Sequence, residues 1–396
     1  MFHSRPLFAL MGACLFLAAT ASPGTADRRA DSTTPATSQP ASPLWVTGYY
    51  PGWQNDLRPA DIDYSSLTDV IYFTLFPTAD GGLDPAGNGV NDDTANALAK
   101  SAHAAGVKVL ICIGGDGAGR AYRQAIKAGA RGTLVSNIVD WVKSHNFDGV
   151  DIDFEPMKES DGPDFDAFVD ELRAALNRLE DARQDSSPSR FGRVGSMLIT
   201  AAVECEGFPK TFGAVQNDFN QLNLMTYDMA GGWSAETWYN SPLTNAKTVK
   251  GLDGGVLPAT DQFVAKWSAA VPSSKIGIGV CCEGRVWHGA TALAQSRGEG
   301  RVETLSYSSI MDQYYKPDRY QWDDGAQASS LTVPGDDKAV VVYDDVRDAK
   351  AKVDFARKNG LGGIILWELS EEYRPLMPVG QRHPLSTAVH DEIVGK

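Results

Sequence analysis

Residues 147–156 read FDGVDIDFEP, and the alternation inside this stretch decides the fold. In an extended chain successive side chains point to opposite faces. Val150, Ile152 and Phe154 therefore share one face, and Asp151, Asp153 and Glu155 share the other. In a parallel sheet covered by helices the apolar face meets the helices, so the three carboxylates turn toward the interior of a barrel, near its C-terminal mouth. Barrel interiors are ordinarily filled by branched apolar side chains, and three inward acids are costly without a task or strong partners. A solvated edge strand would show the same alternation, but helical segments flank this one on both sides.

Outward from this stretch, short β-branched or aromatic runs alternate with helical ones. Val46–Tyr50, Asp69–Leu75, Lys108–Ile113, Gly149–Glu155, Leu198–Val203, Gln221–Tyr227, Lys275–Val280 and Gly363–Leu369 read as strands. Between them, Phe165, Phe168, Val169, Leu172, Leu176 and Leu179 recur at helical spacing within 164–183, as do Leu134, Ile138, Trp141 and Val142 within 133–146. Eight strands interleaved with helices predict an α/β fold, a (β/α)8 TIM barrel. An open doubly wound sheet would place a Gly-rich phosphate turn after its first strand, where this chain has Pro51, Gly52 and Trp53. The chain between the seventh and eighth strands is far longer than one helix needs. Residues 286–343 are read as a small α+β insertion on the catalytic face, with Ala339–Tyr343 as one of its strands.

The ends and the bulk composition bound the rest. Arg5, an apolar run over Leu7–Thr20 and small residues up to Ala26 read as a signal peptide over 1–26, too short to span a membrane. Cys14 lies inside the apolar run and not at its end, which argues against lipidation. Residues 27–43 are Ser/Thr/Pro/Ala-rich without apolar period and read as a linker, leaving 44–388 as the folded catalytic unit. A net charge of −14 disfavours nucleic-acid binding. The chain is expected to be exported (extracellular or periplasmic) and monomeric, with no membrane partner. Cys112, Cys205, Cys281 and Cys282 remain after the leader; four cysteines allow three pairings, and a buried free thiol is the alternative for Cys112.

Alternate Cα atoms on a strand lie about 6.5–7 Å apart, close enough for neighbouring carboxyls to share a proton. Like charges in a poorly solvated lumen resist joint ionisation, which raises at least one pKa. Glu155, nearest the mouth, then reads as a general acid held protonated near neutrality. Asp153 stands on the same side as Glu155 and is badly placed as a nucleophile across a sugar. Substrate assistance removes the difficulty: an N-acetyl carbonyl oxygen attacks its own anomeric carbon, with Asp153 orienting the acetamido group. Mg²⁺ or Ca²⁺ is the rival for three acids, but a ladder on one strand with no His is a poor cage, and no metal or cofactor is expected.

Asp148, Gly149, Asp151, Asp153 and Glu155 match the DGxDxDxE signature of glycoside hydrolase family 18, which the chain resembles over about 44–384. The resemblance implies a chitinase-type hydrolase acting on chitin or N-acetylglucosamine oligosaccharides with retention. It places Asp151, Asp153 and Glu155 in the catalytic group and gives Tyr227, in QLNLMTYDMAGGW (221–233), a hydrogen bond to the acetamido group. It places Met225 and Asp228 in the substrate cleft, with Trp367 as the floor beneath the attacked sugar. Tyr49 matches a cleft tyrosine, Trp233 a leaving-side stacking residue and Arg285 an arginine after strand seven. Asp148 reads as shaping the turn, and Tyr343, Asp344 and Asp345 as closing the insertion. The chain departs from the family pattern at Cys112, where a serine supporting the inner aspartate is usual, at Pro156, and at Glu283, with Glu204 and Glu206 as added acids near strand five. Two alternatives stay open: an endo-β-N-acetylglucosaminidase acting on glycoprotein glycans, and a non-catalytic chitin-binding lectin. The insertion favours a linear chain over the first, and the retained Glu155 favours an enzyme over the second.

Overall fold

The computed structural model describes residues 44–54, 56–186 and 197–396. The expected leader and linker lie outside the described residues. Eight parallel strands, β1 (Trp45–Pro51), β2 (Asp69–Pro77), β3 (Lys108–Gly115), β4 (Gly149–Phe154), β5 (Leu198–Val203), β6 (Gln221–Leu224), β7 (Ile276–Cys281) and β8 (Gly363–Trp367), each pair with the next. Pairing of β1 with both β2 and β8 closes the (β/α)8 barrel.

The two faces of β4 separate as alternation requires. Val150, Ile152 and Phe154 pack outward in the main core with Ile138, Phe165, Phe168 and Leu172. Tyr122 stacks on Phe154 at 4.6 Å between ring centroids. Each of these apolar side chains contributes roughly 1.5–3 kcal/mol when fully buried. The inner face carries Asp151 and Asp153 into a lumen whose apolar lining includes Tyr49, Ile71, Phe73, Cys112, Ala202, Tyr227, Cys281 and Ile365. Gly114 makes room for this ladder: its φ is +118°, and a Cβ there would stand 1.8 Å from the Asp153 carbonyl oxygen. No other residue fits.

A polar network fills the N-terminal end of the lumen. Gln221 accepts from Thr47 Oγ1 (3.0 Å) and Asn223 Nδ2 (3.2 Å) and donates to Asp69 Oδ2 (3.0 Å). Trp45 Nε1 donates to Asn223 Oδ1 (3.2 Å). Asp148 lies at this end, accepting from Val109 N (2.8 Å) and facing His103 Nε2 (2.8 Å), so it shapes the turn into β4. Cys281 faces the lumen and its neighbour Cys282 the outer core, so strand parity keeps the two sulfurs apart; all four described cysteines are free thiols.

Three expected strand ends are corrected: β8 stops at Trp367, because Glu368 caps a short helix that begins at Leu369, and two more strands stop short at the site. β4 stops at Phe154 and β6 at Leu224, so Glu155, Met225 and Tyr227 lie just past the regular ladder. At β6 the cause is Thr226, whose Oγ1 accepts from Gly279 N (2.8 Å) in place of a backbone partner. The parity nonetheless persists, and Met225 and Tyr227 still turn into the lumen.

Between β7 and β8 a five-stranded antiparallel sheet runs in the order Val302–Ser306, Glu283–His288, Ala339–Tyr343, Ala328–Val333, Tyr320–Asp323. Its first strand starts at Glu283, almost directly after β7, because Gly284 and Tyr343 pair across the sheet. The sheet is tied to the barrel where Asp344 accepts from Cys281 N (2.8 Å) and from the fully buried Lys352, whose Nζ also donates to Ser241 Oγ (2.6 Å). Lys352→Met removes one partner of a buried pair and is expected to destabilise the fold by about 3–5 kcal/mol, read as a lowered midpoint in denaturant unfolding.

Candidate functional site

The site is a stack of carboxyls rising through the lumen. Asp151, deepest, accepts from Thr200 Oγ1 (2.5 Å) and Tyr49 OH (3.2 Å). Burial pushes it up to about 6, against the pull of hydrogen bonds from Thr200, the Cys112 thiol and Tyr49. Cys112 thus stands beside the inner aspartate in place of the usual serine, and Thr200 supplies a hydroxyl donor to it. Asp153 is 2% exposed. Burial first, then the neighbouring negative charges of Glu155, Asp151 and Glu204, hold it well above the usual carboxylate range. Its Oδ1 has no hydrogen-bond partner among the described residues. A buried acceptor without a partner costs about 1–3 kcal/mol, so this atom is an unfilled acceptor.

Glu155 stands above, partly exposed at the cleft. Burial raises it to about 7; the hydrogen bond with Asp153 acts the other way, and Glu204, Asp116 and Asp228 add to the rise. Asp153 and Glu155 therefore hold a proton between them near neutrality. A hydrogen bond within the pair puts that proton within reach of the group at the mouth.

A cleft of about 430 Å³ opens over the ladder, with Tyr49, Trp53, Phe73, Met225, Tyr227 and Trp367 among its walls. Trp367 ends β8 and is fixed by edge contacts with Phe73 (4.8 Å between ring centroids) and Tyr49 (5.5 Å). Tyr227, buried beside the ladder, presents a phenol that burial keeps protonated. Trp233 is 68% exposed at the rim, its ring 6.0 Å from the Arg285 guanidinium. The structure thus gathers Asp153, Glu155, Tyr49, Met225, Tyr227, Asp228, Trp233 and Trp367 on one cleft, with Asp151 beneath.

Arg285 stands behind the cleft wall. It is 4% exposed, donates to Asp228 Oδ1 and pairs with Glu283 Oε1 at 2.7 Å. Expected among the substrate-binding residues, it is instead buried and holds Asp228, with Glu283 as its second carboxylate partner. Asp228 holds a left-handed φ of +56° to meet it. That conformation costs a non-glycine residue about 1–2 kcal/mol, offset here by the buried guanidinium. Trp53 and Phe73 are cleft residues that the pattern reading did not single out. Their signal was local: an aromatic just past β1, and an inward position two residues after Ile71 on β2.

Among the described residues no group of three or more His, Cys, Asp or Glu side chains is arranged to hold a metal ion.

The model of "Glycosyl hydrolases family 18" matches residues 46–372. A chitinase-like effector of Moniliophthora roreri is 26% identical over 390 residues, covering 85% of this chain and 91% of that protein. Chitinase A1 of Niallia circulans is 22% identical, covering 85% and 58%. The Group IV chitinase of Ostrinia furnacalis, solved in complex with allosamidin, superposes with a TM-score of 0.73 at 21% identity, covering 89% of this chain and 99% of that one. With the family model spanning the barrel from β1 to beyond β8, this chain belongs to glycosyl hydrolase family 18.

Proposed function

We propose that the protein is a chitinase, hydrolysing β-1,4 bonds between N-acetylglucosamine units with retention and with the substrate's own acetamido group as nucleophile. The observation that carries this reading is the pairing of Asp153 with Glu155 on one wall of the lumen, above Asp151 and beside Tyr227. The attacked sugar lies on Trp367, its apolar face against the indole. Its acetamido group turns down, where Tyr227 donates to the carbonyl and Asp153 takes the N–H on its unfilled oxygen. The carbonyl oxygen bonds to the anomeric carbon as the glycosidic bond breaks, and Glu155 gives its proton to the departing oxygen. Asp153 stabilises the positive charge on the resulting ring. Water, deprotonated by Glu155, then reopens that ring from the opposite face and leaves the β-anomer. Asp228 is a poor alternative nucleophile, because Arg285 holds it.

Similarity to two chitinases and a chitinase-like effector fits this substrate class, and the allosamidin complex of the insect enzyme fits a cleft for N-acetylated sugars. The insertion sheet favours a linear chain over a branched glycan. The same reading makes the protein an exported one, supported by the apolar run at its N-terminus.

Incubation with a soluble N-acetylglucosamine oligomer, followed by anomer analysis at early times, is expected to show β product in excess over equilibrium. Initial α product, or cleavage of a glycopeptide in preference to the oligomer, would overturn the assignment.

A further inference from the structure

Glu155 lies beyond the last residues that β4 pairs with β3 and β5, so no neighbouring strand holds its backbone. The short helix Gly119–Ala125, which follows β3, takes over that task. Gly119 N donates to Glu155 O at 2.7 Å, and Arg123 Nη2 donates to Pro156 O at 3.1 Å. The two donors stand four residues apart on one helix face and grip two successive carbonyls of the turn that carries the acid. The approach is close: a Cβ at position 119 would stand 2.5 Å from Pro156 O and 2.8 Å from Glu155 O. Arg123 is itself fixed. Its Nε meets both carboxylate oxygens of Asp161, at 2.7 and 2.9 Å, and Asp161 is 4% exposed. Asp161 Oδ2 also accepts from Lys158 N at 2.9 Å, closing the turn between Pro156 and the helix Gly162–Ser186. The guanidinium carbon stands 5.7 Å from the ring centroid of Phe154, the residue before the acid. Arg123 is not among the residues lining the cleft.

An ion pair that only tied the helix to the turn would be complete with Asp161. Here a further N–H of the same planar fork is directed at the carbonyl next to the acid. We propose that Arg123 is a positioning residue for the hydrolysis: through the Pro156 carbonyl it fixes the backbone from which Glu155 reaches the departing oxygen, and Asp161 holds the guanidinium in place. The inference rests on the hydrolase reading above and deepens it. Proton transfer depends steeply on distance and direction, and a misplacement of about 1 Å costs up to roughly 10²-fold. The cost falls on proton donation and spares sugar binding, because Trp367 and Tyr227 are set by β8 and by the segment after β6.

The test compares two leaving groups in Arg123→Met. A sugar departs from an N-acetylglucosamine oligomer only with a proton, whereas the phenolate of a dinitrophenyl β-glycoside of that oligomer departs without one. For the oligomer kcat/KM is expected to fall about 30-fold, and for dinitrophenolate release to stay within about threefold of the wild type. Release of the phenolate also shows that the variant is folded. Arg123→Lys keeps a charge facing Asp161 but loses the fork, so it should show the same split at about fivefold. Should the methionine variant not fold, the lysine variant decides by the same comparison. Equal losses on the two substrates would mark Arg123 as a purely structural residue and overturn the proposal, as would full activity of both variants on the oligomer. Either result leaves the hydrolase reading standing. A wild type that cleaves neither substrate would remove both.

Discussion

Glu155→Gln is expected to lower kcat on a soluble N-acetylglucosamine oligomer by about 10⁴-fold, the upper range for loss of a single proton-transfer group. One residue serves both steps in this geometry, giving a proton to the leaving oxygen and taking one from water, so its amide fails twice. Glutamine keeps the size and the hydrogen-bonding capacity of the side chain, and oligomer binding measured by calorimetry should change little. For the wild type, kcat/KM should fall as pH rises through about 7, because the protonated form of Glu155 is lost there. A variant of near wild-type activity would mean that another group is the acid. Binding without turnover even in the wild type would make the protein a lectin.

Asp153→Asn should move activity and stability in opposite directions. The amide can still meet the acetamido group, but it cannot present negative charge to the cation formed in the first step, and a loss in kcat of about 10²–10³-fold is expected. Stability follows from burial. The folded state holds the Asp153 carboxyl well above the value at which the unfolded chain ionises it. Its contribution to stability is therefore full below the unfolded pKa and is lost as pH rises through the folded one. At neutral pH a neutral amide avoids that cost, and Asp153→Asn should raise stability by about 1–3 kcal/mol. Thermal unfolding at pH 4 and pH 8 checks the sign: the gain should be present at the higher pH and vanish at the lower. Equal loss of stability at both would show that Asp153 is a structural hydrogen-bonding group.

The barrel was legible because alternation reports which face is covered, and the inward acids of β4 were the anomaly that alternation exposes. Strand positions followed from the same patterns, whereas strand ends did not. Met225 and Tyr227 keep the inward parity past the point where Thr226 takes over the backbone's hydrogen bonds, so pattern and ladder part company there. The Asp228–Arg285 clamp spans 57 residues and leaves no local trace. Within the insertion, Ala339–Tyr343 announces itself by its apolar run. The outer strands Val302–Ser306 and Tyr320–Asp323 are partly exposed and polar, so nothing in their composition separates them from loop. The plug at the base of the lumen was likewise hidden. Thr47, Asp69, Gln221 and Asn223 are unremarkable singly and meet only when the circle of strands is closed.

The strand Glu283–His288 both opens the insertion and carries the arginine that holds Asp228. Shortening that insertion would therefore unmoor a cleft carboxylate along with the sheet being cut back. The far edge of the sheet, at Tyr320–Asp323, can change without reaching the clamp.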